Sequence, residues 1–72
     1  MTKARLDEMK EFAKRIDDRS ISVEDMPLLE QYTKDLDDLG ARAHKHDFEA
    51  QHAIEYILGM EKGSIAKSLG SN

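Results

Sequence analysis

The sequence predicts an all-α fold: a helical hairpin or a small three-helix bundle, completed by homodimerisation into a four-helix core. Three observations predict it. Apolar residues recur at spacings of three and four along most of the 72-residue chain, which is the period of an amphipathic helix. Helix-breaking residues are scarce, with one Pro and four Gly. A chain this short buries little core by itself, so association is expected to complete it.

The first helix is predicted over about residues 4–19. Thr2 is placed to act as its N-cap, because a hydroxyl there can accept a hydrogen bond from the first helical amides. Its apolar stripe follows the alternating spacing of one helix face. The stripe consists of Leu6, Met9, Phe12, Ala13 and Ile16.

Residues 20–27 are predicted to connect the first helix to the second. Ser22 and Asp25 have the three-residue spacing of a capping box. Pro27 cannot lie deep in a helix, so the second helix should begin within a few residues of it.

A second helix is predicted over about residues 28–60, because its apolar seam continues in phase for four heptads. Such a helix would be about 50 Å long, roughly twice the first. The first helix cannot cover it, so the distal half should pack against a second copy. The seam comprises Leu29, Tyr32, Leu36, Leu39, Ala43, His46, Ala50, Ala53, Ile57 and Met60.

An alternative breaks this helix near residues 45–47 and gives a compact three-helix bundle. Gly40 weakens a helix interior, and Phe48 lies off the seam. Asp47 could cap a third helix and let Phe48 turn inward. The unbroken seam favours the continuous helix, and both arrangements stay open. In either, we expect the core to contain Leu6, Met9, Phe12, Ile16, Leu29, Leu36, Leu39, Ile54 and Ile57.

The balance of folding energies also favours association. A chain of 8.2 kDa is expected to bury about 7,400 Å², of which roughly 60% is apolar and contributes about 110 kcal/mol at about 25 cal/mol per Å². Ordering the chain costs about the same. With no Cys to form a disulfide, self-association is the remaining stabiliser. Residues 1–62 are therefore predicted to form one helical domain, followed by a flexible C-terminal tail over residues 63–72.

Composition and charge argue against several classes of function. The net charge of −4 divides evenly between the halves of the chain, so we do not expect nucleic acid or a membrane as partner. No apolar run is long enough to span a membrane, and the lack of Cys fits the cytoplasm. No catalytic motif is recognisable, so we expect neither catalysis nor a cofactor.

One run of residues suggests a metal site. His46, Glu49 and His52 follow each other at intervals of three, and Glu-x-x-His is a spacing used by di-iron carboxylate helices. On a continuous helix these side chains would lie on one side, and a dimer would duplicate them. The alternative interpretation is a solvated helix face.

The function we expect is that of a small non-catalytic adaptor or inhibitor that binds itself and a larger protein. Such chains are frequent among accessory proteins of phages and mobile elements. The partner-binding surface would use apolar residues left over after dimerisation. These are Phe48, Tyr56, Leu58, Ile65 and Leu69.

RNA binding is a further alternative. The first helix has a basic flank that could contact phosphates, although acidic residues are interleaved with it. The flank consists of Lys3, Lys10, Lys14, Arg15 and Arg19.

Overall fold

The computed structural model describes residues 1–70, and within that range the chain is all-α, as predicted, with no strand. Four helices follow one another, with a short 3₁₀ turn at Val23–Asp25 before the second. They are α1 (Lys3–Asp17), α2 (Met26–His44), α3 (Phe48–Leu58) and α4 (Ser64–Ser68).

The ends of α1 confirm the predicted local signals. The Arg5 amide donates a hydrogen bond to the Thr2 hydroxyl, 3.2 Å away, so Thr2 is the N-cap. Beyond the C-terminus, Ser22 and Asp25 form the predicted capping box, with the Ser22 amide 3.0 Å from the Asp25 carboxylate. The same carboxylate lies 2.5 Å from the Arg15 guanidinium and thereby ties the connection back to α1.

The continuous second helix is wrong: the chain breaks between His44 and Phe48, as in the three-helix alternative. His46 adopts a left-handed backbone with φ of 67°, which an α-helix cannot contain. Asp47 then caps α3 by accepting the Ala50 amide at 3.2 Å. Gly40 is not the break, because it lies inside α2.

The turn between α2 and α3 is closed by a buried side chain. Gln51, only 1% exposed, donates from its amide to the carbonyl of Ala43 at 3.1 Å. The same carbonyl also accepts the backbone amide of His46 at 3.0 Å, so the Gln51 side chain adds a second donor to it at the end of α2. The Gln51 bond fixes α3 antiparallel against the C-terminal half of α2.

The core lies where α3 packs against both α1 and α2. Four of the nine predicted core residues are buried, and Leu6, Leu29, Leu36 and Ile54 are half-buried against them. Ile16 is 37% exposed, because it lies beyond the reach of α3. The buried apolar residues are Met9, Phe12, Tyr32, Leu39, Ala43, Ala50, Ala53 and Ile57.

The C-terminal segment is partly helical. Gly59, at φ of 70°, ends α3 in a left-handed conformation, which glycine adopts without strain. The described part of the expected tail, residues 63–70, contains α4. Residues 71–72 of that tail lie outside the described residues. None of the helices in residues 1–70 combines the length and apolar character needed to cross a membrane.

Candidate functional site

A groove of about 490 Å³ lies where the N-termini of α1 and α3 meet the end of α2. We call it the α3-start groove. Its floor is apolar, and charged side chains stand at its rim, a composition typical of protein-binding sites. It is lined by Met1, Leu6, Leu39, Arg42, Glu49, Ala50, His52 and Ala53.

The rim is held in place by the cap of α3. The Arg42 guanidinium lies 3.0 Å from the Asp47 carboxylate, so its position is tied to the turn between the helices. The amide of Ala50 and the Arg42 side chain together hold the pKa of Asp47 below its ordinary value. Asp47 therefore stays ionised at neutral pH and keeps this end of the groove rigid.

Phe48 is the first residue of α3 and precedes Glu49 of the rim. Its side chain is 61% exposed, so it does not turn inward as the three-helix alternative supposed. The break places it at the start of the helix, where the core does not reach it. Phe48 does not line the α3-start groove; it is an exposed aromatic ring next to the rim along α3, and such rings become the anchors that dominate protein interfaces when a partner covers them.

Tyr56 is engaged within the chain. Its ring lies 4.1 Å from the ammonium of Lys3 and 4.9 Å from that of Lys10. The Lys3 ammonium also donates to its hydroxyl at 2.7 Å, and that hydroxyl donates to Asp7. The hydrogen bond from Tyr56, with a second from the Lys3 ammonium to Asp7 at 3.2 Å, lowers the pKa of the Asp7 carboxyl. Tyr56 thus connects α3 to α1.

The other predicted partner-binding residues do not lie with Phe48. Leu58 is 48% exposed but stands at the opposite end of α3. Ile65 and Leu69 are half-buried on the C-terminal segment. The structure therefore distributes the five predicted residues over several surfaces; none of the five lines the α3-start groove, and Phe48 adjoins its rim through the neighbouring Glu49.

Glu55 fixes the C-terminal segment. It is 3% exposed, and one carboxylate oxygen accepts the amides of Gly63 at 3.0 Å and Ile65 at 3.2 Å. The other oxygen lies 3.0 Å from Nδ1 of His52. The hydrogen bond with His52 and these two amides lower the pKa of Glu55. Sequence reasoning missed Glu55 and Gln51, because two polar residues four apart are typical of a solvated face.

The three predicted metal ligands are only partly brought together. Glu49 and His52 line the α3-start groove, one helical turn apart. His46 lies in the turn before α3, so it is not on the same helix face. Within residues 1–70, no three His, Cys, Asp or Glu side chains converge as a metal site would require.

The basic flank predicted for RNA binding is largely paired inside the chain. Arg5, which that prediction did not include, lies 2.7 Å from Asp35 on α2. Of the predicted residues, Lys14 lies 3.5 Å from Glu11, and the ammonium of Lys10 donates to the carbonyl of Tyr56 at 2.7 Å. Because these basic side chains are paired within the chain, they are less available to contact the phosphates of RNA.

Comparison with protein-family models, with curated proteins and with solved structures finds no match for this chain.

Proposed function

We propose that this chain is a small non-catalytic adaptor or inhibitor, a homodimer that acts by binding a larger protein at the α3-start groove. The observation that carries the proposal is this apolar groove of about 490 Å³ with charged side chains at its rim, a concave surface of the kind that binds partners. Phe48, 61% exposed, immediately precedes Glu49 of that rim on α3 and adds an exposed aromatic ring close to it along the helix.

The groove also offers specificity. Arg42 and Glu49 give its rim both signs of charge, and His52 adds a titratable donor. Charged groups at the rim of an interface mainly select the partner, whereas the buried aromatic and apolar groups supply the affinity. We therefore expect a partner that inserts apolar side chains over Leu39 and Ala53 and pairs polar groups with the rim.

Affinity capture from the native host tests the proposal. The wild-type chain should retain one larger protein, and Phe48→Glu should lose it. Leu28→Glu is the matched control, because Leu28 is 56% exposed but lies on α2, away from the groove. With purified partner, Phe48→Ala should weaken binding at least about 30-fold, the effect of an interface hot spot. Equal retention by Phe48→Glu would contradict the proposal.

Metal binding is a second candidate, favoured by the presence of Glu49 and His52 in one groove. A metal held there would need further ligands from its partner or from water. Elemental analysis of untagged protein, followed by calorimetric titration of Zn²⁺, tests it. A Glu49→Gln, His52→Ala variant should abolish any stoichiometric binding.

RNA binding by α1 is the remaining alternative. It predicts an affinity that falls steeply with salt concentration, because released counterions drive phosphate binding. A complex that is insensitive to salt would instead favour the protein partner.

A further inference from the structure

The molecule exposes more surface than a compact monomer of its mass. Its accessible surface is 5201 Å², whereas a monomer of 8.2 kDa is expected to expose about 4,500 Å². The excess of about 700 Å² is close to the roughly 800 Å² that each partner buries in a standard interface. The shape is correspondingly long, with extents of 43 × 20 × 19 Å.

The excess surface arises because α3 covers only part of the α1–α2 hairpin. With 11 residues, α3 is about 16 Å long, whereas α2, with 19 residues, is about 28 Å long. The bond from Gln51 to Ala43 and the contacts of Tyr56 with Lys3 and Lys10 place α3 beside the start of α1 and the end of α2. The end of α1 and the start of α2 extend beyond it.

An apolar groove opens where α3 stops. It has a volume of about 380 Å³, and we call it the hairpin groove. Ile16, 37% exposed, and Leu58, 48% exposed, face it from α1 and from the end of α3. It is lined by Lys10, Ala13, Lys14, Ile16, Asp17, Tyr32, Ile57, Leu58 and Gly59.

The rim of the hairpin groove is self-complementary in charge. Lys14 and Asp17 both line it, one helical turn apart on α1. Lys14 also lies 3.5 Å from Glu11, and the third charged lining residue, Lys10, donates to the carbonyl of Tyr56 within the chain. Asp17 and Tyr32 line the same groove, and burial, with a smaller contribution from the Asp17 charge, raises the pKa of the Tyr32 hydroxyl. In a two-fold contact between antiparallel α1 helices, Lys14 of one copy would lie opposite Asp17 of the other, twice. If the charged side chains at the rim all had the same sign, the two copies would repel each other at this contact.

From the excess area, the groove and the paired charges we infer that a second copy of this chain docks on the hairpin groove, with α1 crossing its counterpart about a two-fold axis. The two uncovered hairpin ends then form a four-helix core, and the two α3-start grooves remain open at the far ends. The inference rests on the proposed self-association and is independent of which larger protein the α3-start groove takes.

Sedimentation equilibrium over a range of concentrations tests the inference. The wild-type chain should be a dimer, and Ile16→Glu or Leu58→Glu should raise its dissociation constant at least about 30-fold. Both side chains are partly in water, so circular dichroism should show unchanged helicity. Phe48→Glu is the matched control: it places the same charge at the opposite end and should leave the dimer intact.

Charge reversal tests the two-fold geometry. Lys14→Asp and Asp17→Lys should each weaken the dimer, because each places like charges opposite one another across the axis. The double variant should recover the affinity. Failure of the double variant to recover it would overturn this arrangement.

Two other outcomes also overturn the inference. If Ile16→Glu and Leu58→Glu leave the dimer intact and Phe48→Glu dissociates it, the interface lies at the Phe48 end of the molecule. The chain would still self-associate, but not through the hairpin groove. A monomeric wild-type chain at high concentration would disprove self-association itself. Capture of a larger protein through Phe48 is measured separately, so the two failures are distinguishable.

Discussion

Glu55 lies inside the molecule as an ionised carboxylate. Two backbone amides of the C-terminal segment, from Gly63 and Ile65, donate to one of its oxygens, and His52 lies against the other. Hydrogen bonds to the charged form lower the pKa of a carboxyl group. The buried charge is thereby accommodated, and its hydrogen bonds tie the C-terminal segment to α3.

Replacing Glu55 by Gln should lower the free energy of unfolding at neutral pH and speed hydrogen exchange at Gly63 and Ile65. The folded-state pKa of Glu55 is lowered from its ordinary 4.5, so its stabilising contribution is present above that value and lost as the pH falls through the lowered pKa. The difference in denaturant stability between wild type and variant should therefore narrow below pH 4.5.

Glu61→Gln is the control for this prediction, because it removes the same charge from an exposed side chain of the same segment. It should leave both amides protected. An equal loss of protection in the two variants would show that Glu55 does not hold the segment.

Residues with local roles could be predicted from the sequence, and residues with tertiary roles could not. Thr2, Asp25 and Asp47 bond to amides within three residues of themselves, so a short sequence window contains the whole interaction. The Gln51 amide and the Glu55 oxygen that accepts the amides of the C-terminal segment bond to groups eight or more residues away. Their partners are brought near only by folding of the chain back on α3.

At the scale of the elements, each of the three longer helices ends in the same hydrogen-bonded turn. The amides of Ser20, Asp47 and Met60 donate to the carbonyls of Arg15, Arg42 and Glu55, respectively, which is the Schellman pattern. The left-handed residue of that turn is Arg19, His46 or Gly59. Of these three residues only Gly59 is a glycine, the residue type by which such a turn is recognised in a sequence.

This is why the break after α2 was not the favoured prediction. A left-handed residue other than glycine costs about 1–2 kcal/mol, so nothing at His46 signalled a turn. The apolar seam also continues in phase across the three non-helical residues, since Ala50, Ala53 and Ile57 are buried as its spacing requires. Periodicity identified the buried face correctly and missed the change in direction.

Two glycine substitutions should act in opposite directions on stability. Gly40→Ala should raise the free energy of unfolding by about 0.5–1 kcal/mol, because Gly40 lies in α2 and an added Cβ meets nothing within 4 Å. Gly59→Ala should lower it by about 1 kcal/mol, because φ there is +70°. Chemical denaturation of both variants measures these changes. A higher free energy of unfolding in both variants would contradict the assignment of Gly59 as the end of α3.

At the scale of the whole molecule, the chain is a three-helix arrangement whose third helix is too short for the other two. One end is closed by α3 and carries the α3-start groove, and the other is an open hairpin with Ile16 and Leu58 in water. The sequence predicted that the chain leaves apolar surface uncovered, from its length and seam. It could not locate that surface, because the location depends on the break at residues 45–47.

A single copy leaves one end of its core partly uncovered, and we propose that a second copy completes it. Thermal unfolding across a hundredfold range of chain concentration tests this proposal most directly. If unfolding is coupled to dissociation, the midpoint should rise by about 9 °C over that range for a dimer of this size. A sharp transition at the same temperature throughout, from a well-folded chain, would contradict the account.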